Sequence, residues 1–399
     1  MNQRRNSVGF VRRARRSSAV LAAGLVALLA AGCSGAAGGQ GAHEGAEAQA
    51  PEVRLAPENG AKGISPLDPV TAEVQRGRIV EAKLTNADGG PVDGELAADR
   101  KSWKVTQKLG YGRTYTLSVT AKGAEGPEIT KQSTFTTLDP AAKTYVSMIP
   151  LDGETVGVGQ PLVFRFSENA PAPDKAKAEE AIRIRTEPAV EGAFYWYDDR
   201  EVHWRPKDYW AAGTTIDVDI DVYGKELGDG VWGEEDRQAT FHIGDRVVLK
   251  ADGASHRMTI EKNGEVIRTM PVSLGKPEFP SNNGVHVVMS RHRKYLMDSS
   301  TYGLPVNAGG YRTEVEWAVR ISNGGEFLHA APWSVADQGH RNVSHGCINM
   351  SNADAEWVFN LLKRGDVVEI TNSGGPDLRS WDGFGDWQVP WSEWEAGNR

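Results

Sequence analysis

The chain has 399 residues, of which 39% are hydrophobic and 25% are charged, and its formal net charge is −8 at pH 7. This balance is ordinary for globular domains, and the length is sufficient for about two to four of them. The composition excludes a collagen, a coiled coil and a polytopic membrane protein.

The first 33 residues have the order of an export signal. Six arginines and no acidic residue precede a short apolar run, which ends at "LLAAGC". This order predicts a signal segment over 1–33, since the apolar run is too short for a typical bilayer span. "LLAAGC" resembles the processing box of bacterial lipoproteins, although alanine stands where that box usually has leucine. The resemblance implies a lipidated Cys33, with simple signal cleavage as the alternative.

Removal of the signal segment on export would change both the net charge of the chain and the number of cysteines available for a disulfide. Without the six arginines of the signal segment the net charge becomes −14. Such an acidic chain has no electrostatic footprint for nucleic acid, and we expect it to contact a membrane only through a lipid anchor. The chain has two cysteines, one of which lies in the signal segment. We therefore expect Cys347 to be a free thiol in an exported protein.

An internal repeat follows a tether. Residues 34–51 are rich in Gly, Ala and Glu, which predicts a flexible segment. The segment 103–120 then aligns with 204–221, and each copy has a tryptophan, a glycine-containing turn and an alternating apolar strand. Short strands at this spacing predict two immunoglobulin-like β-sandwich domains, over 52–140 and 141–245, without the disulfide of antibody domains.

A third, β-rich domain is predicted over 246–371. Asn263-Gly264 joins two alternating runs, which is the strongest short signal of a hairpin. One helix is predicted to begin after Ser351, with the strand "DVVEIT" behind it. A long Gly- and Pro-rich loop over 298–311 is expected to be functional, with a simple surface excursion as the alternative.

The last segment, 372–399, is a tryptophan-rich extension. Trp381, Trp387, Trp391 and Trp394 lie close together in the sequence. We expect their indoles to pack on a neighbouring domain, because indole burial provides much apolar area with little regular structure. A surface that stacks on carbohydrate is the alternative.

The stretch "NVSHGCINMS" holds the free thiol. A cysteine is a nucleophile as its thiolate, which requires a basic partner or the positive end of a helix. His329, at the end of a predicted strand, is the candidate base, and the predicted helix begins shortly after Cys347. Gly346 allows unusual backbone torsions, and backbone N–H groups there could form an oxyanion hole. The alternatives are a buried structural cysteine and a zinc site, although the chain has no C-x-x-C or H-E-x-x-H motif.

The longer stretch "FLHAAPWSVADQGHRNVSHGCINMS" resembles the signature of L,D-transpeptidases, in which a histidine precedes Ser-His-Gly-Cys-x-Asn. The upstream "YLMDSSTYGLPVNAGGYRTEVEWAVRIS" and the tryptophan-rich extension resemble the mycobacterial and actinobacterial branch of that family. The resemblance covers nearly the whole chain. It implies a mainly β protein in which two immunoglobulin-like domains precede the catalytic domain and the C-terminal extension.

The resemblance also implies an activity and a set of site residues. The activity is peptidoglycan cross-linking on donor and acceptor stem peptides, with carbapenem-type β-lactams as inhibitors and with no metal or other cofactor. Cys347 would be the nucleophile, His329 the base, and the Ala330 carbonyl the group that orients the base. His345 would shape the loop, and Gly346 with Cys347 would supply oxyanion N–H groups. The implied substrate contacts are Met297, Tyr311, Trp333, Ser344 and Asn349.

Two other functions remain open from the sequence. The same thiol would serve an L,D-carboxypeptidase, in which water resolves the thioester. A non-catalytic wall-binding protein could also be built from β-sandwich domains, although it would have no need of the pair formed by His329 and Cys347.

Overall fold

The structure is a computed structural model that describes residues 50–398. The signal segment, most of the tether and the predicted lipidation at Cys33 therefore lie outside the described residues. The first eight strands form two four-stranded sheets, in the orders β1-β2-β6-β5 and β4-β3-β7-β8. They are β1 Glu52–Ala56, β2 Thr71–Gln75, β3 Arg78–Asn86, β4 Pro91–Val92, β5 Gly94–Leu96, β6 Ser102–Val105, β7 Thr114–Lys122 and β8 Ile129–Thr136.

A second sandwich follows, with sheets in the orders β10-β12-β15-β14 and β11-β18-β16-β13 and a small pair of β9 with β17. Its elements are β9 Ala142–Thr144, β10 Val146–Ile149, β11 Thr155–Val156, β12 Leu162–Phe166, α1 Lys175–Glu180, β13 Ile182–Glu187, β14 Gly192–Trp196, β15 Glu201–Pro206, β16 Thr215–Ile220, β17 Val231–Gly233 and β18 Arg237–Ile243. We call these two units the first and second sandwich.

The predicted repeat is visible in the packing of both sandwiches. Trp103 and Trp204 are buried, and each indole lies over a glycine of the neighbouring strand. A Cβ added at Gly94 would lie 1.9 Å from the Trp103 ring, and one added at Gly192 would lie 2.0 Å from the Trp204 ring. The glycines are therefore required because the indole occupies the space of a side chain.

The third domain has a five-stranded sheet, β21-β20-β19-β27-β22, and a four-stranded sheet, β23-β24-β25-β26. Its strands and helix are β19 Val247–Asp252, β20 Arg257–Lys262, β21 Glu265–Pro271, β22 Gly284–Val287, β23 Ser290–Asp298, β24 Arg312–Arg320, β25 Phe327–Ala330, β26 Ile348–Met350, α2 Asn352–Leu361 and β27 Val367–Thr371. The loop between β23 and β24, which we call the lid, carries two 3-10 turns, Ser299–Tyr302 and Val306–Ala308. A further turn, Pro332–Ser334, follows β25.

The local predictions for this domain are confirmed. Asn263 and Gly264 both have positive φ, at 51° and 89°, as the two central residues of a type I′ hairpin turn require. Helix α2 begins after Ser351, whose hydroxyl accepts a hydrogen bond from the Asp354 N–H. Its buried residues face the core that both sheets share.

The C-terminal extension packs on the second sandwich, as predicted for three of its four tryptophans. It contains the turn Gly385–Gln388 and the short helix α3 Trp391–Ala396. The Arg205 guanidinium lies 4.6, 5.5 and 4.4 Å from the ring centres of Trp387, Trp391 and Trp394, which is cation–π geometry. Trp381 differs, because 61% of it is exposed.

The second sandwich and the third domain share one interior. Val367 of β27 belongs to the same buried cluster as the core of the second sandwich. The Gly157 N–H donates to the Arg364 carbonyl at 2.7 Å, and a Cβ at Gly157 would meet the Asp366 nitrogen at 2.2 Å. Backbone lies directly on backbone at this junction.

A buried histidine fixes the extension to the same junction. His203 contacts two carboxylates, through Nδ1 to Asp386 at 2.6 Å and through Nε2 to Glu201 at 2.8 Å. Burial lowers the pKa of His203, but the charges and hydrogen bonds of Asp386 and Glu201 outweigh burial and raise it to about 9. The imidazole is therefore a buried cation between two acids at neutral pH.

Candidate active site

Strand pairing brings the predicted base and nucleophile together. Strands β25 and β26 run parallel, with Leu328 opposite Ile348 and His329 opposite Asn349. Cys347 immediately precedes β26, so the pairing places it beside the strand that carries His329. Both side chains line one cavity of about 290 Å³.

The cavity gathers the predicted substrate contacts. All five of them line it, together with His345 and two residues that sequence reasoning missed, Thr313 and Val343. Thr313 follows Tyr311 at the strand period of two, and Val343 immediately precedes the Ser-His-Gly-Cys motif, which are the signals that could have found them. The full lining is Met297, Tyr311, Thr313, His329, Trp333, Val343, Ser344, His345, Cys347 and Asn349.

His329 is a buried, neutral imidazole in a fixed orientation. Its Nδ1–H donates to the Ala330 carbonyl at 2.9 Å, which is the hydrogen bond predicted for that carbonyl. Within residues 50–398 its Nε2 has no hydrogen-bond partner, so this nitrogen can accept a proton. Burial lowers the pKa of His329 to about 4, while the Ala330 carbonyl opposes this shift. The imidazole is therefore unprotonated at neutral pH.

Cys347 is a free, buried thiol, and only 3% of the residue is exposed. Burial raises its pKa, hydrogen bonds from the Phe327 N–H and the Tyr311 hydroxyl lower it, and the Glu326 charge raises it, with a result of about 12. The Sγ atom lies 3.7 Å from the Gly325 carbonyl, to which the thiol donates. At rest the site is therefore a neutral thiol beside a neutral imidazole.

This resting state corrects the expectation that the helix N-terminus holds a thiolate. Helix α2 does begin after Ser351, but strand β26 lies between Cys347 and the first turn. The helix dipole acts within about one turn of the helix end. Burial decides the protonation state of the thiol instead.

Hydrogen bonds within the Ser-His-Gly-Cys loop fix its shape. The Ser344 hydroxyl donates to the Cys347 carbonyl at 2.6 Å and accepts from the Gly346 N–H at 3.1 Å. Gly346 has φ of 113°, in the region that glycine favours. Because Ser344 already engages the Gly346 N–H, the Cys347 N–H is the better candidate of the two predicted oxyanion donors. Ser344 braces the loop in addition to lining the cavity.

His345 connects this loop to the lid. Its ring lies 4.9 Å from the Phe279 ring and 5.2 Å from the Tyr311 ring. Burial and the Lys276 charge lower the pKa of His345, while a hydrogen bond to the Gly309 carbonyl raises it. The predicted role in shaping the loop stays a prediction, and these contacts are compatible with it.

The remaining predicted contacts differ in exposure. Met297 is buried against Cys347, whereas 61% of Trp333 is exposed and its ring lies 6.0 Å from that of His329. The Asn349 side-chain amide donates to the Ser334 hydroxyl at 3.1 Å. Trp333 therefore offers a flat apolar surface at the cavity mouth, while the hydrogen bond to Ser334 fixes the orientation of the Asn349 side chain.

The described part of the chain offers neither a cluster of metal ligands nor a membrane-spanning helix. No group of three or more His, Cys, Asp or Glu side chains between residues 50 and 398 could hold a metal ion. No helix in that part of the chain is both long and apolar enough to cross a membrane.

Two protein-family models match the chain in the same order as the sandwiches and the third domain. A bacterial Ig domain model matches residues 61–226, and the model of the L,D-transpeptidase catalytic domain (YkuD) matches residues 246–370. The chain is 47% identical over 349 residues to L,D-transpeptidase 2 of Mycobacterium tuberculosis, covering 87% of this chain and 85% of that relative. It is 38% identical to L,D-transpeptidase 5 of the same species, covering 86% of this chain and 76% of the relative.

A solved structure of the L,D-transpeptidase LdtMt1 in complex with imipenem is also similar. It is 38% identical with a TM-score of 0.51, and the match covers 58% of this chain and all of that one. The matches confirm the predicted fold class, with immunoglobulin-like sandwiches before a β-rich catalytic domain. The chain belongs to the L,D-transpeptidase family.

Proposed function

We propose that this enzyme forms 3→3 cross-links between peptidoglycan stem peptides. The donor is a tetrapeptide stem, and the bond broken joins its third residue to the terminal D-alanine. The acceptor is the side-chain amine of the third residue of another stem. Membership of the L,D-transpeptidase family supports the reaction class, and the geometry of the cavity supports the roles of its residues.

The reaction proceeds through a thioester. As the Cys347 Sγ bonds to the carbonyl carbon at the L-centre, its proton passes to the His329 Nε2. Collapse of the tetrahedral intermediate breaks the C–N bond, and the proton passes from Nε2 to the departing D-alanine amine. The acceptor amine then attacks the thioester, and its proton returns through Nε2 to Sγ. The Cys347 N–H is the donor available to the developing oxyanion.

One observation carries this proposal. The buried thiol and the buried imidazole line one cavity, and the imidazole is held by the Ala330 carbonyl with its other nitrogen free. A structural cysteine would need neither the oriented base nor the cavity. The imipenem complex of the similar LdtMt1 supports acylation of Cys347 by carbapenems.

Two measurements on the exported chain test the proposal. Imipenem should add its mass to the wild type and not to Cys347→Ala, as seen by intact mass spectrometry. With disaccharide-tetrapeptide substrate, the wild type should release D-alanine and form dimers joined by a 3→3 link. An imipenem adduct on Cys347→Ala would refute the nucleophile assignment. Tripeptide without dimer at high acceptor concentration would instead indicate a carboxypeptidase.

We further propose that the enzyme is exported and anchored to the membrane through a lipid on Cys33. The signal-like order of residues 1–33 and the lipoprotein-like "LLAAGC" support this proposal. The intact mass of the protein extracted from membranes should equal that of a chain beginning at a diacylated Cys33. A mass without lipid would refute the anchor while leaving the catalytic proposal untouched.

A further inference from the structure

A buried carboxylate lies behind the nucleophile loop. Glu326 immediately precedes strand β25 and lies between Gly325 and Phe327, the two residues whose backbone contacts the Cys347 thiol. Only 6% of Glu326 is exposed. A Cβ placed on Gly346 would lie 3.7 Å from its Cγ and 3.9 Å from its Oε1. The carboxylate thus lies against the loop residue that precedes the thiol.

Both oxygens of this carboxylate have fixed partners. Oε1 accepts from the Asn282 N–H at 2.7 Å, and Oε2 lies 3.0 Å from Nε2 of His286, which is fully buried. The neighbouring Ser281 hydroxyl donates to the Gly346 carbonyl at 2.7 Å. The segment that holds Glu326 therefore also holds the nucleophile loop from behind.

The His286 ring is the second fixed partner of this carboxylate. Its Nδ1 lies 3.3 Å from the Gly284 carbonyl, and its Nε2 lies beside the Glu326 carboxylate. Together with the Asn282 N–H, the ring holds in place a carboxylate that is almost out of contact with water.

Two other titratable side chains that line the cavity with the thiol are uncharged. Tyr311, whose pKa burial raises, and His329, whose pKa burial lowers, are neutral at pH 7. The pKa of His345 is also lowered by burial, and the Lys276 charge acts on that ring. Glu326 is the charged group that acts on the Cys347 thiol, and it raises the pKa of that thiol.

We propose that Glu326 is a positioning residue for the reaction, a fixed negative charge that adds to burial in keeping the Cys347 thiol protonated until a carbonyl substrate enters. His286 and Asn282 hold this charge in place. The inference rests on Cys347 as the nucleophile, which is proposed above. The chemical class of substrate is unchanged, and what Glu326 adds is discrimination against small electrophiles that react with a free thiolate.

The consequence for catalysis follows from the position of the charge. A thiolate beside a carboxylate is disfavoured, so the proton leaves Sγ when His329 accepts it during attack on the carbonyl. The resting enzyme then holds no stable thiolate in the oxidising space outside the cell. A thiolate formed beside a negative charge is also more basic, and therefore more nucleophilic, at the moment of attack.

Glu326→Gln tests the charge with little change of shape. The glutamine oxygen can still accept from the Asn282 N–H, and its amide can hydrogen-bond to the His286 ring. Removing a like charge beside an ionising group typically shifts its pKa by about one unit, which is about tenfold in thiolate. We expect alkylation of Cys347 by iodoacetamide at about pH 8 to be about tenfold faster, measured by intact mass and peptide mapping.

A second variant separates the charge from the hydrogen bonds that hold it. His286→Gln keeps the Glu326 carboxylate and can still donate to it, so Cys347 should be alkylated within about twofold of the wild-type rate. If Glu326→Gln does not fold, the pH dependence of alkylation in the wild type carries the test, because a Cys347 thiol that titrates at or below the ordinary pKa of about 8.5 would overturn the proposal. Glu261→Gln, on the other sheet, is the matched control and should change nothing. Melting temperatures of all variants report on folding.

The outcomes separate an electrostatic role from a structural one. Unchanged alkylation of Glu326→Gln across the pH range would overturn the proposal. Faster alkylation of both variants would also overturn it, because loosening of the loop exposes the thiol in either case. Failure of the wild type to be acylated by imipenem would contradict the proposed function instead, since iodoacetamide reports on the thiol without any transpeptidation.

Discussion

Acidification should leave the acylation of Cys347 by imipenem almost unchanged between about pH 7.5 and pH 5.5. The base is the His329 imidazole, whose pKa burial lowers to about 4. A folded-state pKa this low keeps the proton acceptor free throughout that range. The thiol, whose pKa burial raises to about 12, remains protonated over the same range.

The size of the effect follows from the two possible pKa values of the base. An ordinary histidine with a pKa near 6.5 would be only about 10% unprotonated at about pH 5.5. A histidine with a pKa near 4 would be more than about 95% unprotonated there. The acylation rate should thus change by less than about 1.5-fold on acidification, where an ordinary base would cause a fall of about tenfold.

The assay is the second-order rate of imipenem adduct formation, followed by intact mass at several pH values and constant ionic strength. His345→Asn serves as the matched variant, because it removes the other imidazole of the cavity and leaves His329. Circular dichroism at each pH confirms that the protein stays folded. The profile of this variant should be as flat as that of the wild type.

A rate that falls about tenfold with a midpoint near pH 6.5 would refute the reasoning. It would mean that His329 is solvated before imipenem binds, so that the lid and the first turn after β25 open more than the structure indicates. A plateau above a midpoint near pH 8 would refute the protonated thiol.

Three further outcomes are expected. Gly192→Ala should lower the free energy of unfolding by about 2 kcal/mol in urea titrations, because the Cβ would overlap the Trp204 ring. Gly123→Ala, where φ is not positive and the nearest atom to the added Cβ would lie at 3.3 Å, should lose less. His203→Gln should lower Tm more at about pH 6 than at about pH 10. Folding raises the pKa of His203 to about 9, so its contribution to stability is complete below its unfolded pKa of about 6.5 and is lost as the pH rises through about 9. We expect the first sandwich to act as a spacer that places the catalytic domain in the cell wall. Deleting 52–140 should therefore leave imipenem acylation within about twofold and reduce 3→3 cross-links in cells, and unchanged cellular cross-linking would contradict that role.

Much of the local structure could be predicted because local rules decide it. The hairpin turn at Asn263-Gly264 follows from the torsions those two residues tolerate, and the start of α2 follows from the Ser351 cap. The repeat could be predicted because Trp103 and Trp204 occupy the same place in two copies of one sandwich. In each case the signal lies within one short stretch of chain.

The candidate site could be predicted only in part. A motif names Cys347 and His329, but no local rule says that β25 and β26 pair in parallel and enclose the thiol. Burial therefore reverses the expected protonation of Cys347. No sequence pattern indicates a role for Glu326, because its hydrogen-bond partner His286 lies 40 residues away. The two side chains come together only when the fold places β22 beside the start of β25.

The junction of the second sandwich with the third domain changes how the chain divides into working parts. The sequence repeat suggests two equivalent spacers before one catalytic domain. The second of them shares its core with Val367, and its Gly157 lies on the backbone of Asp366. The extension closes the same junction through Asp386 and His203. Removing the second sandwich would therefore expose the core behind β27, whereas the first sandwich can be removed at much lower cost. The unit that must stay intact for chemistry begins near residue 141 and includes the tryptophan-rich extension.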